Sequence, residues 1–285
     1  MNKNLKFTIA PLQRWLLLLC ALILGYVIAS VVSVLLLGKC MTASRVCIVT
    51  IIQDIAVFIL PALVTAVFAT RRPADLLSIK AAPFSGICLA CVALVASIPF
   101  MDMVIDWNAG VTFPEGVASL MRSMEESASA MVKTLVNGNS VMSLVVMVLV
   151  VGCFAGFSEE LFFRGAVQRL LITGRVNPHL AIWLTAVVFS AFHMQFYGFV
   201  PRLLLGAMFG YVAWWLGSIW PSVAVHVLNN SIAAFAMWRA DRMGLSEVTE
   251  LYDMWQVVVS FVITAVASGF VCYIGKRYKR QATHS

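Results

Sequence analysis

Charge is scarce in this chain. Only 12% of its 285 residues are Asp, Glu, Lys or Arg and 61% are hydrophobic, against about 25% and 45–50% in an ordinary soluble domain. That balance excludes a water-soluble globule and marks an integral membrane protein. Other signatures are missing too. There is no G-x-S-x-G, no P-loop, no G-x-G-x-x-G and no H-E-x-x-H, so serine-hydrolase, nucleotide-binding and common zinc-protease readings lack support. No cleavable signal peptide is visible, because the first apolar run, Trp15 to Leu37, exceeds the length of about 7–15 residues of a signal h-region. It reads as the first span. The formal net charge of +7 does not point to nucleic acid, since the Lys and Arg residues stand at the ends of apolar segments rather than in a surface stripe. The seven cysteines carry little. Cys88-Leu-Ala-Cys91 has no second pair and no βαβ context, and Cys20, Cys153 and Cys272 lie in apolar stretches where free Cys is a small hydrophobe. Cys40 and Cys47 flank a short polar loop, where a disulfide would require the oxidising side of a membrane.

What is present is a series of apolar runs. A helical span takes roughly 17–25 apolar residues, and eight such segments can be marked. The first three are Trp15–Leu37, about Cys47–Thr70, and about Phe84–Val104, the last ending at the interfacial Asp106-Trp107-Asn108. Between Val111 and Ser140 the chain turns polar, but Val117, Leu120, Met121, Met124, Ala128, Met131, Val132 and Leu135 recur at three-and-four spacing. This predicts an amphipathic helix at the membrane surface. Segment four starts near Val141 and runs to Thr173-Gly174, and Asn177-Pro178 opens segment five, which ends at His193. Segment six covers about Val200–Leu216, segment seven runs from Pro221 to about Trp238, and segment eight from Trp255 to Tyr273. The expected fold class is an all-α membrane bundle of about eight transmembrane helices plus one amphipathic interfacial helix.

Ionisable residues at bilayer depth are costly and mark function by default. Segment four carries Glu159-Glu160-x-x-x-Arg164. Glu160 and Arg164 are i,i+4 with the acid first, the favoured order for a helical ion pair, whereas Glu159 points about 100° away. Glu160 with Arg164 therefore reads as a support and Glu159 as the group facing a cavity. Segment five carries Phe189 and His193 on one face, and segment seven carries His226 and Asn230 on one face. Glu159 lies fifteen residues before Gly174, and His193 fifteen after Pro178. At about 1.5 Å per residue an antiparallel hairpin brings the two level, and His226 joins them if that hairpin projects beyond the Pro221 turn. Asp54 is a lone acid in segment two, with a structural and a functional reading equally open.

A carboxylate and a neutral histidine around one water can deprotonate it as it attacks a carbonyl, while a second histidine and an amide donate to the oxyanion that forms. Glu159, His193 and His226 also make a three-ligand set for zinc. A third use, a proton relay through Glu159 and Asp54 in a transporter, lacks the inverted repeats such folds show.

Glu-Glu-x-x-x-Arg at 159–164, Phe-x-x-x-His at 189–193 and His-x-x-x-Asn at 226–230 together resemble the three motifs of the CPBP family. These are intramembrane endopeptidases related to the eukaryotic type II CAAX prenyl endopeptidase and to bacterial Abi and bacteriocin-immunity proteins. The resemblance covers about Val141 to Trp238. It implies that Glu159 with His193 activates water, that His226 with Asn230 stabilises the oxyanion, and that Glu160, Arg164 and Phe189 support them. It implies no cofactor in the metal-free form favoured here, with zinc as the other form described for the family. It divides the chain into N-terminal helices and connector (1–140), CPBP-like catalytic helices (141–240), and a last helix with a basic tail (241–285). The expected partners are the lipid bilayer and a membrane-associated protein or peptide substrate; the alternative is a non-catalytic immunity or interaction protein of the same fold. With the N-terminus inside, thirteen Lys and Arg residues fall on inner segments and seven on outer ones, of twenty in all. By the positive-inside rule this puts both ends in the cytoplasm of what reads as a bacterial cell membrane.

Overall fold

The computed structural model describes residues 5–38, 40–136, 140–243 and 252–281. All secondary structure among them is helical, apart from one isolated antiparallel bridge between Phe7 and Thr70. The expected all-α membrane bundle is what the chain forms. Among the described residues nine principal helices follow in order: α1 Pro11–Leu37, α2 Ala43–Ala69, α3 Phe84–Ala109, α4 Glu115–Val136, α5 Val141–Thr173, α6 Pro178–Phe192, α7 Phe199–Leu216, α8 Trp220–Met243 and α9 Met254–Gln281. Helix starts follow local chemistry. Pro11 and Pro178 occupy first helical positions, where the missing N–H costs nothing, and the Ser140 hydroxyl caps α5 by accepting from the Ser143 N–H at 3.1 Å.

Six of the described helical stretches are long and apolar enough to cross a membrane: α1, α2, α3, α5, Phe196–Leu216 and α9. The two other expected spans are helices of a different kind. α6 has 15 residues, about 22 Å of helix against a hydrocarbon core of about 30 Å, and α8 is long but has a polar middle and end. α4 is the expected amphipathic helix. Leu16, Ile23, Leu24, Val31 and Val34 of α1 and Val258, Phe261, Val262 and Phe270 of α9 are all exposed. In water this would be an untenable apolar surface; in lipid it is the ordinary outside of a bundle.

The chain forms two compact units. One comprises Met1–Lys80, Met131–Asn177 and His226–Val248. Within it α1 and α5 both pack on α2, and Val46, Leu135, Met147 and Ala234 bring α2, α4, α5 and α8 into one core cluster. The Phe58 ring lies 5.6 Å from that of Phe162 and 5.7 Å from that of Phe163. α2 is π-helical over Asp54–Ile59, and α5 over Val148–Ala155 and Leu161–Val167. Such wide turns occur often at functional sites, and here they sit at Asp54 and on either side of the Glu159-Glu160 pair. Gly152 and Gly156, a small-residue spacing in the sequence, are where α5 meets α8. A Cβ on Gly156 would lie 3.4 Å from the Val227 backbone nitrogen, and one on Gly152 would lie 3.0 Å from the Ser231 hydroxyl. Small residues therefore set the approach that carries His226 and Asn230.

The second unit comprises Ala81–Ala130, Pro178–Val225 and Thr249–Ser285. In it α3 packs along α9, α6 along α7, and α7 also against α3 and α9. An apolar cavity of about 190 Å³ between α3, α7 and α9 is lined by Phe100, Met101, Met208 and Trp215 among others, and by none of the motif residues.

Candidate active site

α5 buries its charges in order. Glu160 and Arg164 have no exposed side-chain surface, and Arg164 Nη1 donates to Glu160 Oε1 at 2.5 Å, so the i,i+4 pair expected from the sequence is formed. Two charges without water cost several kcal/mol each in desolvation, and a pair persists only with good geometry and further hydrogen bonds. His226 of α8 supplies one such bond: its Nδ1 lies 2.8 Å from the same Glu160 Oε1. A carboxylate held by a guanidinium accepts, so Nδ1 carries the hydrogen and His226 is held through Glu160 to Arg164.

That bond orients the other ring nitrogen. His226 Nε2 lies 3.8 Å from Glu159 Oε2, beyond hydrogen-bond length and inside ion-pair distance. Two bare acceptors would face each other there unless a proton sits on one of them. Glu159 Oε2 is buried with no hydrogen-bond partner, whereas the side chain as a whole keeps 14% of its surface exposed. Glu159 is thus the partly open carboxylate and Glu160 the closed one, the division that helical geometry suggests. One turn further along α8, Asn230 Nδ2 donates to the Val151 carbonyl at 3.0 Å, and its Oδ1 accepts from Asn229 at 3.2 Å. The acceptor side of the amide is held by Asn229, and the second N–H hydrogen is available to another acceptor.

Phe189 and His193 belong to the second unit. Their rings meet edge to face at 5.0 Å, and His193 Nδ1 lies 3.0 Å from the Phe189 carbonyl oxygen. A carbonyl only accepts, so Nδ1 is the donor, and in the neutral tautomer Nε2 is then the lone-pair nitrogen. Phe189 is itself buttressed by α7, where a Cβ on Gly206 would lie 3.0 Å from its ring.

Asp54, which looks isolated in the sequence, is not alone. It is buried at 6% exposure, in electrostatic reach of Glu159 and beside the Ser158 side chain. The first unit therefore brings Asp54 toward Glu159, beside the Glu160 that Arg164 and His226 share. Among the described residues no three His, Cys, Asp or Glu side chains converge as a metal site needs. Glu160, which His226 also reaches, is engaged by Arg164. No step below runs through a metal.

A bundle with helices of membrane-spanning length that buries a carboxylate–imidazole cluster has the groups that acid–base chemistry within a membrane would need. Family comparison narrows the reading: residues 141–232 match the family model described as Rce1-like, type II CAAX prenyl endopeptidase. The match bears out the resemblance drawn from the three motifs. It covers about a third of the chain and takes in Glu159, Glu160, Arg164, Phe189, His193, His226 and Asn230. No curated protein and no solved structure matches the chain.

Proposed function

We propose that the protein is an intramembrane endopeptidase that adds water across a peptide bond of a membrane-associated protein or peptide. Glu159 is the general base, assisted by the lone-pair nitrogen of His193, and takes a proton from water as its oxygen attacks the scissile carbonyl. His226 Nε2–H and the second N–H of Asn230 donate to the oxyanion. The proton then passes from Glu159 to the leaving amine, so the reaction consumes one water and returns every catalytic group to its starting state.

The single observation that supports it best is the sharing of Glu160 Oε1 by Arg164 and His226 Nδ1. That arrangement presents Nε2 toward the partly open Glu159 and holds the ring against the Glu160 carboxylate. The Rce1-like match supports the reaction class. The site operates in a bacterial cell membrane with both chain ends in the cytoplasm, within the helices of 141–240. The test compares membrane proteomes of cells carrying the wild type, Glu159→Gln and His193→Ala. Fragments present with the wild type and missing with both variants, at equal levels of inserted protein, are the expected result. Fragments that persist in both variants refute it.

A further inference from the structure

The turn that follows His193 is held more firmly than a connecting loop requires. Met194 takes a left-handed backbone, φ 53°, which costs a non-glycine residue free energy and persists only where surroundings over-determine it. The surroundings here are polar and come from four helices. Asn108, at the end of α3 and only 3% exposed, donates from Nδ2 to the Phe196 carbonyl at 3.1 Å and accepts from the Val200 N–H at Oδ1, 2.7 Å. One amide thereby clamps both sides of the short 3-10 turn Phe196–Gly198. Ser190 of α6 donates to the Phe199 carbonyl at 2.6 Å. Gln195 donates to Glu125 of α4 at 2.9 Å, and its carbonyl accepts from Arg202 of α7. The imidazole of His193, at the start of this turn, has its Nδ1 on the Phe189 carbonyl.

We propose that Asn108 is a positioning residue for His193. By fixing the 196–200 backbone from both sides it holds the end of α6 and the strained Met194, and so keeps the His193 ring on the Phe189 carbonyl with Nε2 as its lone-pair nitrogen. Catalytic use of that nitrogen rests on the endopeptidase reading; its placement does not. In the sequence Asn108 passes for an interfacial residue closing a span, yet it is buried and both polar atoms of its amide are used. Its amide gives the same loop a donor and an acceptor at once, and neither a carboxylate nor an aliphatic side chain replaces both.

The test reads the imidazole directly and needs no substrate. The full-length protein in lipid nanodiscs is prepared with isotope-labelled histidine, and its four histidines, 179, 193, 226 and 284, are assigned with His193→Gln and His226→Gln. Magnetic resonance of the ring nitrogens of wild type is expected to show His193 as a single Nδ1–H tautomer. Asn108→Leu, of similar volume, is expected to lose that signature to exchange-averaged tautomers, with His226, held by Glu160, keeping its wild-type signals. Asn108→Asp keeps the Val200 bond but loses the two-hydrogen amide donor; should Asn108→Leu disturb both histidines, it decides by the same comparison, with His193 altered and His226 preserved. His193 signals that superimpose on wild type in a folded Asn108 variant overturn the proposal. If the protein cleaves nothing while Asn108→Leu still scrambles His193, the endopeptidase reading fails and the positioning role stands.

Discussion

The two histidines of the motif set are held by opposite devices. His226 is tied side chain to side chain, through Glu160 to Arg164, inside a charged cluster drawn from separate helices. His193 is tied to a backbone carbonyl four residues back on its own helix, and its surroundings are made mainly of backbone and amide hydrogen bonds. The difference teaches how each fails. A charged cluster fails by losing one partner and stranding the other in a low dielectric, which costs several kcal/mol. A turn built on hydrogen bonds fails in steps of about 1 kcal/mol each. Stability should therefore depend steeply on the first device and gradually on the second.

The largest expected effect is at the ion pair. Glu160→Ala or Arg164→Ala leaves a buried partner uncompensated and is expected to cost about 3–5 kcal/mol, read as a large fall in thermal unfolding temperature in detergent. The double variant Glu160→Leu/Arg164→Met is expected to recover most of that loss while leaving the His226 Nδ1 proton without its carboxylate, so stability returns and cleavage does not. Recovery of both would break the distinction drawn between the two histidines. Next comes the α5–α8 contact. Gly156→Leu pushes a side chain into Val227 and is expected to cost about 1–3 kcal/mol by overpacking, with cleavage falling more than stability because the α8 register carries His226 and Asn230. The smallest effect is in the turn. Ser190→Ala removes one donor to Phe199 and is expected to cost about 1 kcal/mol; a cost as large as that of Glu160→Ala would contradict the gradual behaviour assigned to this region.

Much of this was legible in the sequence where the signal is local. The i,i+4 order of Glu160 and Arg164, the 100° separation that frees Glu159, and the amphipathic period of α4 depend only on helix geometry, and all three are found. The Rce1-like match likewise falls on residues that the three motifs pick out. Long-range register was not legible. The equal arms about the Gly174–Pro178 turn nominate His193 as a partner of Glu159, whereas spacing alone does not reveal that, within its own unit, the imidazole beside Glu159 is that of His226. Nor does periodicity reveal that Asp54 lies by Glu159, because the π-helical turn at Asp54–Ile59 shifts the phase of α2. Asn108 was hidden for a different reason: a polar residue at a span end has the same composition whether it meets lipid headgroups or clamps a buried turn.

The central claim is that Glu159 drives addition of water to a peptide bond, and one measurement addresses it whatever the natural client is. Purified wild type and Glu159→Gln are reconstituted in bilayers and given a mixture of membrane-derived peptides in heavy-oxygen water, and new carboxyl termini are sought by mass spectrometry. The account predicts heavy oxygen in new C-terminal carboxylates with wild type and none above background with Glu159→Gln. Equal labelling by the two proteins would contradict it.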